Sequence, residues 1–179
     1  MPIVERSIWI NRPPQNVFDF HADHANRVTW HDHVTRSEMI TPPPLGLGSC
    51  FEVDTISAGR SVPMTIEITA FDRPGAYSYR STTTQAIADS QQRFTAENGG
   101  TLFQVRIELH FRGLARPFSW FILKFGLEKH FETAVRELKA EMERPAEDVA
   151  DLKALAERND EPEISYDELL LDLQTHGKQ

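Results

Sequence analysis

Apolar and polar positions along the chain follow two different rhythms, and the switch between them lays out the elements. Residues 3–10, "IVERSIWI", alternate as a strand does, and "NRPP" then stops the strand and starts a helix with proline at its first positions. The next segment, "QNVFDFHAD", sets Val17, Phe18 and His21 or Ala22 on one side at helical spacing, which predicts a short helix. A second short helix or turn, "HANRVTWHDHV", follows. From there the period is two, in segments bounded by turn residues: "VTRSEMIT", "SCFEVDTIS", "SVPMTIEITAF", "AYSYRSTT", "DSQQRFTAE" and "TLFQVRIELHF". The last two are joined by "NGG", and Asn-Gly takes the positive φ angles of a tight hairpin turn. In the final segment Phe103, Val105, Ile107, Leu109 and Phe111 share one face, while Gln104, Arg106, Glu108 and His110 share the other. One face of the sheet is therefore buried and the other wet.

The period returns to that of a helix over 117–144, with Pro117 at its start and Pro145 just past its end. Phe118, Phe121, Ile122 and Phe125 cluster on one face, and Leu127, Phe131, Ala134, Val135, Leu138 and Met142 on another about 150° away. The phase jumps at Gly126. Either the helix bends there, or its first two turns are buried on nearly all sides.

Composition changes this picture in two places. The chain of 179 residues suits one full domain with an appendage, and its net charge of −8 is uneven: residues 1–144 hold 16 Lys and Arg against 17 Asp and Glu, whereas 145–179 hold 3 against 10. The tail reads as two short acidic helices around "RNDEPEIS", with Ser165 and Glu168 as a capping box and too few leucines for a core of its own. No basic face exists for a phosphate backbone, which argues against nucleic acid as a partner. A single cysteine, Cys50, forms no internal disulfide, and "MPIVERSIW" lacks the pattern of a secretory signal, so a cytoplasmic location is expected. The longest apolar run, "PFSWFILKFGL", is interrupted by Lys124 and is shorter than the roughly 20 residues that span a bilayer. No integral membrane insertion is expected.

The order of strand, two short helices, six antiparallel strands and long helix resembles the START-like (SRPBCC) superfamily over residues 3–144, specifically its polyketide cyclase/dehydrase-type members. The resemblance is carried by "SIWINRPPQNVFDFHADHANRVTWHDHV", by "GLGSCFEV", by the "GGT" opening the last strand, and by the helix ending "LKAEMER". It implies an α+β helix-grip fold: a curved antiparallel sheet of about seven strands around the long C-terminal helix, with residues 145–179 as an added helical extension. It also implies a cavity between sheet and helix that takes lipids, polyketides or aromatic molecules. Some members close or dehydrate aromatic rings, and many have no known activity, so the fold does not decide between binding and turnover.

The histidines are the first candidates for chemistry. His21, His24, His31 and His33, with Asp23 and Asp32, supply nitrogen and oxygen donors, but their spacing fixes no tetrahedral set. They are read as solvated or capping residues around an apolar anchor of Val17, Phe18 and Trp30, and no metal or other cofactor is assigned. General acid-base work needs titratable groups facing a dry pocket, so strand parity is the test. Inward positions read Met64, Ile66, Ile68 and Ala70 on one strand and Gln92, Phe94 and Ala96 on another, with Gln92 the strongly polar exception. In "AYSYRST" either Tyr77, Tyr79 and Ser81 or Ala76, Ser78 and Arg80 face inward. Tyr77, Tyr79 and Gln92 are thus the catalytic candidates of an alternative enzyme reading. Binding of a small hydrophobic molecule is the leading one, with Trp30, Phe51, Met64, Tyr79, Phe94, Phe103, Val105, Phe121 and Phe125 expected to line the pocket. A protein partner or homodimer through 145–179 is the remaining alternative.

Overall fold

The computed structural model describes residues 2–57, 59–113 and 128–145. Seven strands, β1 (Ile3–Ile10), β2 (Val34–Met39), β3 (Cys50–Ser57), β4 (Arg60–Asp72), β5 (Ala76–Thr82), β6 (Ala86–Glu97) and β7 (Gly100–Phe111), form one antiparallel sheet in the order β1-β7-β6-β5-β4-β3-β2. Strands β2 to β7 pair with their sequence neighbours, and β1 closes the far edge against β7 along its whole length, from Ile3 opposite Glu108 to Ile10 opposite Thr101. Between β1 and β2 lie α1 (Pro14–Ala22), a 3₁₀ turn (His24–Asn26) and the single-turn α2 (Arg27–Trp30). A last helix, α3 (Glu128–Met142), follows the sheet. The curved sheet around a C-terminal helix is the helix-grip arrangement the sequence implies. The expected helix segment over 117–127, with Phe121, Phe125 and Gly126, and the tail from 146 on lie outside the described residues.

The Asn-Gly turn behaves as its chemistry dictates. Asn98 and Gly99 adopt φ of 50° and 79°, closing a two-residue hairpin between the paired Glu97 and Gly100. Gly100 itself is required by proximity: a Cβ there would lie 2.4 Å from the Ile10 carbonyl oxygen and 2.7 Å from the Trp9 ring. Strand β6 begins at Ala86, three residues before the strand expected from "DSQQRFTAE", because Ala86–Ala88 continues the ladder against Phe111–Leu109.

Strand parity holds for most positions and fails at two. Ile66 and Ile68 are buried, but the register shifts between Ile68 and Ala70, and this irregularity turns Ala70 out to solvent and Phe71 in toward the core. Ala96, near the hairpin end of β6, is also exposed rather than inward. On β5 the choice left open by the sequence is settled, since Tyr77 and Tyr79 are buried.

The core lies between the buried sheet face, α1 and α3. Phe18 of α1, fully buried, meets Phe71, Tyr77 and Phe94 edge-on at ring-centroid distances of 5.2, 5.7 and 5.3 Å. Val135 and Leu138 of α3 join the same core. The C-terminal end of α3 is pinned to the end of β1: Lys139 Nζ donates to the Trp9 carbonyl at 2.8 Å, and the Asn11 N–H donates to Glu143 Oε1 at 2.6 Å. Among the described residues no helix is long and apolar enough to cross a membrane.

Candidate ligand site under the grip helix

The junction from α1 to α2 creates the site by placing one side chain every third residue on the sheet-facing side. Asp23 accepts the Ala25 N–H at 3.1 Å and starts the 3₁₀ turn, while the Asn26 side-chain amide donates to the Phe20 carbonyl at 2.9 Å and ties the turn back to α1. Ser37 of β2 donates to the His24 carbonyl at 2.6 Å and fixes the turn to the sheet edge. Consequently His21, His24, Arg27 and Trp30 all point inward and are buried.

A cavity of about 70 Å³ opens beside this stripe. The α1–α2 stretch contributes His21, Arg27, Trp30 and, just beyond it, His31. The sheet supplies Tyr79, Gln92, Phe103, Val105 and Ile107. Helix α3 closes it with Phe131, Ala134, Val135 and Leu138. A wider depression of about 530 Å³ lies against β1, β5, β6 and β7, but it is open and largely polar, and its Arg106 is already paired with Glu5 at 2.5 Å. The smaller cavity holds the unusual chemistry.

Tyr77 lies beneath the cavity floor with its hydroxyl 2.6 Å from His21 Nδ1 and 3.0 Å from the His21 carbonyl oxygen, to which it donates. A hydroxyl has one proton, so both contacts are satisfied when Nδ1 carries the imidazole hydrogen and donates to the Tyr77 oxygen. That tautomer leaves Nε2 with a lone pair and, among the described residues, no hydrogen-bond partner. The ring is clamped by Trp30, stacked at 5.8 Å, and by Phe103 at 4.9 Å. Burial, reinforced by the Arg27 charge and then by His31, lowers the His21 pKa to about 3, and burial raises that of Tyr77 well above its ordinary value. Both groups are therefore neutral at pH 7.

Arg27 is 8% exposed. One Nη donates to the Tyr79 hydroxyl at 2.8 Å, and the guanidinium carbon lies 5.1 Å from the centroid of the same ring. Among the described residues its Nε has no acceptor. Gln92 Nε2 donates to Ser90 Oγ at 3.0 Å, while its Oε1 is buried and unpartnered among the described residues. His24, fully buried, stands edge-on to Phe51 at 5.2 Å and to Tyr79 at 4.6 Å, and neither ring nitrogen has a partner among the described residues. Burial first, then Arg27, lowers its pKa well below the usual value.

A further set of imidazoles joins α3 to the loop after α2. His130 lies 5.3 Å from His31 and 5.1 Å from His33, ring centre to ring centre. Burial followed by the charges of Arg27, His130 and His33 holds His31 at about 3, and Glu137, whose carboxylate is 3.9 Å from His31, is raised by burial and then by Asp32. Among the described residues no group of three His, Cys, Asp or Glu is arranged to hold a metal ion.

The structure thus gathers Trp30, Tyr79, Phe103, Val105 and Gln92 at the cavity and sets Tyr77 behind it. Phe51 packs on His24, and Phe94 packs on Phe18 and behind Phe103, so neither lines the cavity, and Met64 is half-buried beside the core. The histidine reading is corrected: of the four, only His33 is exposed, whereas His21 and His24 are core residues. Arg27 is a cavity-lining residue that the sequence reading misses altogether. The signal for it is the spacing 21-24-27-30, in which three polar residues lead at helical intervals to Trp30, an apolar anchor.

Fold and site together define a START-like, helix-grip protein. Residues 1–143 match the family described as polyketide cyclase/dehydrase and lipid transport, and the chain belongs to that family. Among solved structures it is similar to the ZhuI aromatase/cyclase from Streptomyces sp. R1128, with TM-score 0.68 and 16% identity, covering 80% of this chain and 94% of that one. It is likewise similar to the protein TTHA0849 from Thermus thermophilus, with TM-score 0.68 and 14% identity over 79% and 97% of the two chains. A START superfamily protein from Mycobacterium smegmatis aligns with TM-score 0.65 and 11% identity over 79% and 97%. At these identities the likeness concerns the fold alone. No curated protein matches the sequence.

Proposed function

We propose that the protein binds a small, largely apolar molecule in the cavity between the α1–α2 stripe, the sheet and α3. The observation that carries this reading is the convergence, on one cavity, of an apolar wall (Trp30, Phe103, Val105, Leu138) with buried polar groups whose hydrogen-bonding capacity is unused. Cores keep few such groups, because a buried polar atom without a partner is costly, and here three of them belong to residues lining one cavity. The volume of about 70 Å³ is below the roughly 300–1,000 Å³ typical of pockets that enclose larger ligands, so the cavity fits a compact group and enlarges for anything longer by displacing side chains such as Phe131. Native mass spectrometry of the protein loaded with lipid and aromatic extracts tests the reading. A retained small molecule, lost on Phe103→Trp, which fills the cavity, is the expected result. If nothing is retained and apolar fluorescent probes also fail to bind, the cavity is only core.

A second reading, cyclase or dehydratase chemistry in the same place, is favoured by the His21–Tyr77 pair. With Nδ1–H engaged by Tyr77, His21 Nε2 is a base facing a dry site, and Arg27 with Tyr79 can stabilise the enolate formed when a proton leaves a carbon between two carbonyls. Turnover of a poly-β-ketone mimic that vanishes in His21→Asn, with binding kept within a few-fold, is the outcome this reading requires. The partner-binding alternative rests on residues 145–179 and would show as an oligomer or captured partner lost on deletion after Arg144.

A further inference from the structure

Arg27 carries the only formal charge among the described residues that line the cavity at pH 7. A guanidinium does not give up its proton in a protein, so this charge is permanent. Buried arginines are ordinarily matched by a carboxylate, yet no Asp or Glu of the described residues pairs with Arg27. Among the described residues one of its five N–H groups has an acceptor, the Tyr79 hydroxyl, and the Nε–H has none. The surrounding imidazoles add no negative charge and, being neutral, do not compete for an anion.

From this uncompensated charge in an otherwise apolar cavity we infer that the ligand is an acid: a compact apolar molecule, single-ringed or short-chained, whose carboxylate is received by the Arg27 guanidinium. The planar fork of N–H donors matches a carboxylate's two oxygens, and a singly charged, flat head group suits both the single cation and the small volume better than a phosphate would. Tyr79 holds the guanidinium in place from beneath through its hydroxyl and ring face. Trp30 and Phe103, against His21, form the wall on which a ring or chain would lie. The inference rests on the binding reading above and narrows it from any hydrophobe to an anionic one.

Isosteric pairs separate the two. Calorimetric titration of the full chain at pH 7.5 with benzoate against benzamide, and hexanoate against hexanamide, should show at least tenfold tighter binding of the better-fitting acid than of its amide. In Arg27→Met the acid and amide should come within twofold of each other, and Arg27→Gln serves the same purpose if the methionine variant does not fold. Equal binding of acid and amide by the wild-type protein, or an acid preference that survives in a folded Arg27 variant, would overturn the assignment while leaving hydrophobic binding intact. Failure of all four compounds together with neutral apolar probes would remove the binding reading itself, and the acid assignment with it.

Discussion

The two ends of the α1–α2 stretch bury the same kind of surface against the same sheet and treat their polar atoms in opposite ways. Around Phe18 the packing includes three aromatic rings, Phe71, Tyr77 and Phe94 at 5.2–5.7 Å, and the Tyr77 hydroxyl is bonded twice. At the other end, among the described residues, His24 Nδ1 and Nε2, Arg27 Nε and His31 Nδ1, with Gln92 Oε1 of β6 beside them, are buried without a hydrogen bond. The first end is what a core looks like when stability alone shapes it. The second keeps groups that cost stability, and three of them, on Arg27, His31 and Gln92, belong to residues that line the cavity. The difference teaches that the cavity is defined less by its volume than by its unfinished chemistry.

The comparison breaks first if the aromatic end is not the structural one. Phe18→Ala removes a ring that is fully buried among three others, and losses of about 3–5 kcal/mol are usual for such a truncation. Urea denaturation followed by tryptophan fluorescence should show a loss in that range. A loss below about 1 kcal/mol would mean that the anchor lies elsewhere.

How much of this is legible in the sequence differs between the same two ends. The aromatic end announces itself through apolar periodicity: Val17, Phe18 and Trp30, and the alternation of β7, predict both the elements and their buried faces. Beside Ala70 parity fails where it cannot work, since an irregular pairing leaves no trace in an alternating pattern. The polar end is misread because histidine and arginine are normally surface residues, and burial of His21, His24 and Arg27 is decided by tertiary contacts with β5, β6 and β7. His130, which meets His31 and His33 from α3, lies far along the chain from both, and no local spacing links them.

Acid sharpens the contrast, because it acts on one end only. His21 and His31 have folded-state pKa values near 3 against 6.5 when unfolded, so below pH 6.5 the unfolded chain takes up protons that the folded one refuses. Stability is unaffected well above that value and falls steadily as the pH drops from 6.5 toward 3. Between pH 8 and pH 6 the two groups together should cost about 2 kcal/mol, with more at pH 5. Denaturation midpoints across this range measure it. A flat profile from pH 8 to pH 5 would show that these imidazoles are hydrated and that the two ends are alike.

The finest test reverses the sign. His24 is fully buried between Phe51 and Tyr79, has no partner at either ring nitrogen, and does not line the cavity. Replacing a buried, unsatisfied polar ring by an apolar side chain of similar bulk removes its desolvation cost without opening a large void. His24→Leu should therefore raise stability by about 1 kcal/mol at pH 8, and by more at pH 6, since the unfolded variant loses a proton-binding group that the folded protein never protonates. Ligand affinity should change by less than threefold. If the leucine variant is less stable at both pH values, the imidazole holds a bonded structural position, and the polar end is a finished core like the one around Phe18.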